Sequence, residues 1–483
     1  MVYLRYCWLP LPAQADDPCL ATASNSSDSR VECVWMYASI CAERSSSPGV
    51  AGWVPQEGYQ RLGREIVELQ NSPPVESMSE RADLHDAPLS VCYFGTYERD
   101  YPGNRVLIEG LRQNGVQVYE CHVPLWEKTR NKTAAYFGPA SVLVLGLRYL
   151  VCCALLLFKL TRVPSFDVII VGFNGHLDAI CAKLAAVLRA RPLVANPMLS
   201  MYDTLVIDKA FVKQGGLYAR LILALERLLF RLPDAIFLDA EEHFSFFNRR
   251  LGCPWSKFKQ LFFGADDRIF YPRPSNSKEA DVFTVLFYGK FQPLQGVPII
   301  VRAAKLLEPY KHVRLRIIGN GPDSQQVREL ASQLELTNVE FIEWVDFEEL
   351  QSHIADADVC LGIFGTTEKV HRCIANKVVQ ALAMAKPVIT GNCAATRELL
   401  TDGEHALLCD LGSPEALAQA ILRLENDRAL RARLARNGYQ LFMQQCSTKA
   451  VGRRAKLHLL SVCRDYQMRR ERGRDSAIQA FHR

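Results

Sequence analysis

Sixteen cysteines occur in 483 residues, yet no two are spaced Cys-x-x-Cys. That absence excludes zinc ribbons and thioredoxin-like redox motifs. The one adjacent pair, Cys152-Cys153, lies in an apolar run, so the thiols read as small core residues of a reducing compartment. An excess of one charge is also missing. The 57 basic and 52 acidic side chains leave a net charge of only +5, and no nucleic-acid partner is expected. Met1–Pro12 holds two prolines and no sustained apolar core, so no secretory leader is expected and the sequons at Asn25 and Asn131 read as accidental. With 49% apolar and 23% charged residues, wholesale disorder, collagen and a multi-span membrane architecture are excluded.

What charge there is lies unevenly. Residues 1–80 carry 5 basic and 10 acidic side chains, whereas residues 447–483 carry 10 and 3. Residues 1–88 are Ser-rich and aperiodic and read as a poorly ordered extension, of which residues 1–77, ahead of Met78, are expected to be dispensable. From Leu89 onward short apolar runs alternate with helical stretches, the pattern of βαβ units and parallel sheets. A break around Pro272 and Pro274 divides residues 89–274 from residues 275–446, where the alternation restarts at Thr284–Tyr288. Residues 447–483 read as a basic helix or tail. The expected fold class is α/β, with two doubly wound Rossmann-like domains and ligands at the carboxyl ends of the strands.

Three strand exits in the second half carry glycine turns. Phe287-Tyr288-Gly289-Lys290 ends a strand on a cation, and Gln295-Gly296 precedes a helix; an ammonium beside a helix start suits a phosphate. Ile318-Gly319-Asn320-Gly321-Pro322 is the second exit and Gly362-Ile363-Phe364-Gly365 the third. Neither matches G-x-G-x-x-G with its ribose-binding acid, which disfavours a nicotinamide dehydrogenase. Asn376-Lys377 opens another helix, with Asn376 as N-cap and Lys377 as a second cation. Asp356-Ala357-Asp358 has the spacing of a metal-binding Asp-x-Asp but leads into an apolar strand, so it reads as a turn and no metal site is expected.

Taken in order, these motifs together with Asn376–Thr390 and Arg397–Leu408 resemble glycosyltransferase family 4, whose members have the GT-B fold with an interdomain cleft. The resemblance is strongest from Gly289 to Leu424 and looser over Leu89–Pro274. It implies a retaining, metal-independent transferase that takes a sugar from a nucleotide-diphosphate sugar and uses no further cofactor. It places Gly289, Lys290, Gln295, Gly319, Asn320, Gly321, Phe364, Gly365 and Lys377 on the donor. It also assigns Trp344 and Val345 to the nucleotide base and Gln380 to the ribose. The family's Glu–seven residues–Glu motif is absent: Gln380 stands at its second position, and at its first stands Arg372 by spacing or Gly362 when aligned on Phe364-Gly365. The competing reading is therefore a nucleotide-sugar-binding scaffold with impaired transfer.

In the first domain the resemblance makes His176, just past the run Val168–Val171, the candidate catalytic residue beneath the donor sugar. Gly103, Asn104, Tyr202 and Asp203 are the acceptor-side candidates, and His243 reads as structural. The run Ser141–Leu160 is apolar nearly all round, with two readings: a buried crossover helix, or a helix in a membrane interface near a lipid-linked acceptor. The expected location is cytoplasmic, peripheral on an anionic membrane face under the second reading.

Overall fold

The computed structural model describes residues 88–125, 139–173, 175–209, 211–275 and 281–481; the acidic extension and the Asn131 sequon lie outside them. The first sheet is wholly parallel, in the order β2-β1-β3-β4-β5-β6. Its strands are β1 Ser90–Gly95, β2 Gln117–His122, β3 Val168–Val171, β4 Leu193–Ala195, β5 Ala235–Leu238 and β6 Phe258–Gln260. The inner strands β3, β4 and β5 are buried at every residue, because helices cover both faces of a parallel sheet. Helix α1, Pro102–Gln113, links β1 to β2. Helices α2 Pro139–Leu160, α3 Asp178–Arg189, α4 Leu217–Leu229 and α5 Glu241–Leu251 follow in chain order. Sequence reading did not find β6 or α5. Phe-Lys-Gln offers one apolar residue to an edge position, and α5 buries its face through closely spaced phenylalanines.

The second sheet runs β12-β11-β10-β7-β8-β9, again all parallel. It comprises β7 Phe283–Tyr288, β8 Val313–Ile318, β9 Val339–Ile342, β10 Val359–Leu361, β11 Val388–Gly391 and β12 Leu407–Cys409. Its helices are α6 Val297–Leu307, α7 Ser324–Gln333, α8 Phe347–Asp356, α9 Asn376–Ala383, α10 Ala394–Leu399, α11 Pro414–Asn426 and α12 Arg428–Leu441. The N-cap of α9 is Ala375, with no side-chain cap, so Asn376 is its first residue and not the cap. The twelve cysteines among the described residues are free thiols, nine of them buried.

The segment read as a basic tail is a long helix, α13 Thr448–Phe481, which returns to the first domain. Val451, Ala455, Leu459 and Val462 join the same core cluster as Val106, Leu107 and Leu111 of α1. Only beyond Tyr466 does α13 present mainly exposed residues. The two helices touch backbone to backbone. A Cβ on Gly452 would lie 1.9 Å from the Gly110 carbonyl oxygen, and one on Gly110 would lie 2.3 Å from the Thr448 carbonyl. Gly452→Val should therefore destabilise the fold by about 1–3 kcal/mol or more, since neither backbone can retreat without unpacking the core. Gly473, farther along α13 with nothing within 4 Å of its Cβ position, is the control; its Ala variant should gain up to about 1 kcal/mol in helix propensity. Urea midpoints of the two variants decide the point.

Candidate functional site

Strand order reverses between β1 and β3 in the first sheet and between β7 and β10 in the second. These switch points leave a crevice at the carboxyl ends of the strands, because the flanking connections depart to opposite faces. The exits after β7, β8 and β10 carry the glycines, and the exit after β3 carries His176.

At the second domain's crevice the chain is folded backbone against backbone. Gly289 (φ +150°) and Gly319 (φ +147°) stand side by side, and a Cβ on Gly319 would lie 1.9 Å from the Gly289 oxygen. A Cβ on Gly321 would meet the Phe291 carbonyl at 2.3 Å, and one on Gly365 the Pro293 carbonyl at 2.2 Å. Asn320 accepts hydrogen bonds from the Gly321 N–H at 2.7 Å and the Ser324 hydroxyl at 2.6 Å, closing the turn into α7. Phe364 is fully buried, and its N–H donates to the Gln295 carbonyl at 3.1 Å.

Lys377, in the first turn of α9, is only 7% exposed. Its ammonium donates to Gln295 Oε1 and sits 3.7 Å from the centroid of the Phe287 ring. A Cβ on Gly289 would lie 2.7 Å from Lys377 Nζ, so the glycine makes room for the cation. Burial holds the Lys377 amine well below its ordinary pKa. Lys290 is exposed, Gln380 is half-buried, and Val345 packs partly into the core. Trp344 stands 77% exposed where the chain leaves β9.

In the first domain, His176 Nε2 lies 2.9 Å from the Leu199 carbonyl, and its ring meets Phe230 edge-on at 5.9 Å. A carbonyl only accepts, so Nε2 carries the proton. Burial depresses the ring's pKa, which keeps the imidazole neutral and leaves Nδ1 as an acceptor. Asp178, absent from the sequence reading, orders both exits: its carboxylate accepts from the Thr96 N–H at 2.6 Å, and burial pushes it up to about 7.

The acceptor-side candidates take other positions. Asn104 is fully buried. Its Oδ1 accepts from the Tyr93 hydroxyl at 2.8 Å and the Phe173 N–H at 2.9 Å, and its Nδ2 donates to the Glu98 carbonyl at 2.8 Å. It is a bracket between two strand exits and does not face a ligand. A Cβ on Gly103 would lie 2.5 Å from Met198 Cε, so this glycine is a packing contact. Tyr202 belongs to a core cluster. Asp203 pairs across the cleft with Arg372 at 2.6 Å. His243 Nδ1 donates to Asp239 Oδ1 at 2.8 Å.

The two domains meet through further polar contacts that sequence reading missed. Asp239 Oδ2 accepts from the Ile374 N–H at 3.3 Å. Glu398 of the second domain accepts from the Glu241 N–H at 2.9 Å and from Gln260 Nε2 at 2.7 Å, capping α5; burial lifts its pKa to about 7. The side chains of Tyr101 and Asn376 hydrogen-bond, joining the β1 exit to the start of α9. The Asp-x-Asp pair is engaged in the turn: Asp358 Oδ2 accepts from the Thr284 N–H at 2.9 Å, and Asp356 Oδ1 from the Ser275 hydroxyl at 2.6 Å.

Two parallel-sheet Rossmann-like domains with facing strand exits are the GT-B architecture, and solved structures of that architecture superpose on this one. Sucrose-phosphate synthase from Thermosynechococcus elongatus aligns with TM-score 0.56 at 15% identity, over 76% of this chain and 96% of that one. Anabaena HepE, solved in complex with UDP, aligns with TM-score 0.55 at 15% identity, over 78% and 100%. Residues 282–427 match the family described as Glycosyl transferases group 1, so the second domain is a group 1 domain. The lipopolysaccharide core biosynthesis glycosyltransferase LpsD of Rhizobium meliloti is 30% identical over 173 residues, 36% of this chain and 48% of LpsD. The phosphatidyl-myo-inositol mannosyltransferase of Mycobacterium leprae is 31% identical over 158 residues, 32% of this chain and 40% of its own. The chain thus spans about half or less of the curated relatives it matches.

Proposed function

We propose that this protein is a retaining, metal-independent glycosyltransferase of family 4 that moves a sugar from a nucleotide-diphosphate sugar to an acceptor held at an anionic lipid surface. The observation that carries the donor assignment is the buried Lys377, lodged against Gly289 at the switch point of the second sheet. With Lys290, the backbone amides of the glycine turns and the start of α9, the Lys377 amine, protonated as the diphosphate arrives, gives positive charge where the leaving group develops its own. The UDP of the HepE structure supports the same donor class. Exposed Trp344 offers a ring face to the base, Gln380 a hydrogen-bonding side chain to the ribose, and His176 Nδ1 a neutral acceptor beneath the sugar.

The acceptor side rests on a surface feature. Helix α2 turns Leu147, Leu150, Val151, Leu155 and Phe158 to solvent, and α3 and α4 add Val187, Leu188, Leu217, Tyr218 and Leu221. A soluble monomer rarely leaves so many apolar side chains exposed on consecutive helices of one domain. Among the described residues no helix is long and apolar enough to cross a membrane. This supports α2 as a helix lying on a monolayer, with Cys152, Leu156 and Leu160 buried and Leu145, Tyr149, Cys153 and Leu157 packed partly against the same core. The lipid-modifying name of the mycobacterial relative points the same way.

Incubation with a panel of sugar nucleotides and anionic vesicles tests the reading, with product configuration read by proton NMR. Donor-dependent glycosylation with the anomeric configuration kept is the expected result. Donor binding with neither transfer nor hydrolysis across the panel would assign the chain to the scaffold class instead.

A further inference from the structure

Arg372, which the motif spacing sets eight positions before Gln380, is turned toward the other domain. Arg372 Nη2 lies 2.6 Å from Asp203 Oδ1 on the other domain; the two side chains are 11% and 0% exposed. Its guanidinium also lies over the Phe246 ring at 4.7 Å. One turn earlier, Lys369 Nζ donates to Thr204 Oγ1 at 3.0 Å and sits 3.6 Å from Asp208 Oδ2. The short helical turn Glu368–Arg372 of the second domain thus docks on the π-turn Asp203–Asp208 of the first.

Asp203 is itself held from behind. Buried Glu226 of α4 accepts from the Ser200 hydroxyl at 2.6 Å, the Met201 N–H at 2.6 Å and the Tyr202 N–H at 3.0 Å. The Ser200 hydroxyl in turn accepts from the Asp203 N–H at 3.1 Å. On the other side, Arg372 stands four residues before Asn376, the first residue of α9, which carries Lys377 and Gln380. A rigid path therefore runs from α4 through Asp203 and Arg372 to the helix that bears the donor cation. The contact is also incompletely satisfied: Asp203 Oδ2, Asp208 Oδ1 and Arg372 Nε are buried without a hydrogen-bond partner.

We infer that Asp203 and Arg372 are positioning residues: their interdomain ion pair registers α9, and with it Lys377 and Gln380, against the first domain. Geometry as well as charge suits the pair, because a planar guanidinium buried beside a carboxylate gives directional bonds that lysine does not reproduce. The inference rests on the transfer reading for its kinetic readout and on the fold alone for its structural one.

A double-mutant cycle tests it, with Asp203→Asn, Arg372→Gln and the double variant, plus Arg372→Lys as a charge-conserving partner. Each single variant should lower kcat/KM for the sugar nucleotide at least tenfold, mainly through kcat. The double variant should be no worse than the worse single one, which is the signature of coupled residues. Arg372→Lys should recover only part of the loss. In small-angle scattering of donor-free protein, both single variants should show a larger radius of gyration than wild type. Additive losses in the cycle would overturn the inference. So would a lowered melting temperature with unchanged kcat/KM and radius, which would make the pair merely structural. If the wild type transfers no sugar, the scattering arm still decides the domain contact, and the failure belongs to the functional reading.

Discussion

Lys377→Ala should weaken binding of the cognate sugar nucleotide by roughly 10- to 100-fold in calorimetry, because a charge-assisted hydrogen bond to phosphate is worth about 1.5–3 kcal/mol and each 1.4 kcal/mol is about tenfold. The structure separates the two cations that the sequence treats alike. Lys377 is buried against Phe287 and Gln295 and loses little freedom on binding, whereas Lys290 is exposed and must be immobilised. Lys290→Ala should fall at the tenfold end. Turnover should drop further than affinity in both, since charge on the leaving diphosphate grows toward the transition state. Burial holds the free Lys377 amine below its usual pKa, and an arriving diphosphate raises it again. Donor binding should therefore take up a proton, seen as a buffer-dependent enthalpy that Lys377→Ala abolishes. The sign follows: affinity is fullest below the free-state pKa and declines as pH rises through the donor-bound one. Lys386→Ala is the control. Its amine donates to the Ala357 carbonyl at 3.0 Å, far from the glycine turns in its bonding, so it should cost stability and leave donor affinity alone. Wild-type binding by all three variants would refute the site.

Replacing Leu147, Leu150 and Leu155 of α2 together by Glu should abolish flotation with anionic vesicles while the circular dichroism and melting temperature stay near wild type. All three are at least 45% exposed, so the fold does not depend on them. Each methylene transferred into lipid contributes about 0.8 kcal/mol, so three leucines inserted even in part exceed a hundredfold in partitioning. Leu156, one residue from Leu155, is 0% exposed; Leu156→Glu should unfold the domain and so reports on the core, not the surface. Arg148, Lys159 and Arg162 are exposed along and just beyond the same helix. Binding by the wild type should accordingly weaken with salt and on neutral lipid. If the triple variant floats like wild type, the face has another purpose.

Much of this was readable before any coordinates. A run such as Val168–Val171 announces a buried parallel strand because helices on both faces leave no polar side to the pattern. The glycines at 319, 321 and 365 stand where a Cβ would strike a neighbouring backbone, so their spacing carried information about close approach. α13 was only half legible. Its apolar residues at 451, 455, 459 and 462 mark a helical face, but nothing local says that the face belongs to a domain that ended nearly two hundred residues earlier.

The amino-acid sequence by itself determined two parallel α/β domains, the turns at their strand exits and the cation opening α9, since all of these depend on period, chain direction and steric size over a few neighbouring residues. Tertiary structure alone decided the rest. It turned Asn104 and Tyr202 inward and set Arg372 on Asp203, 169 positions away. It also divided α2 into a buried seam and an apolar outer face. Those outcomes depend on which surfaces meet once the chain has folded back on itself, and a side chain's partner across a cleft leaves no trace in the residues beside it.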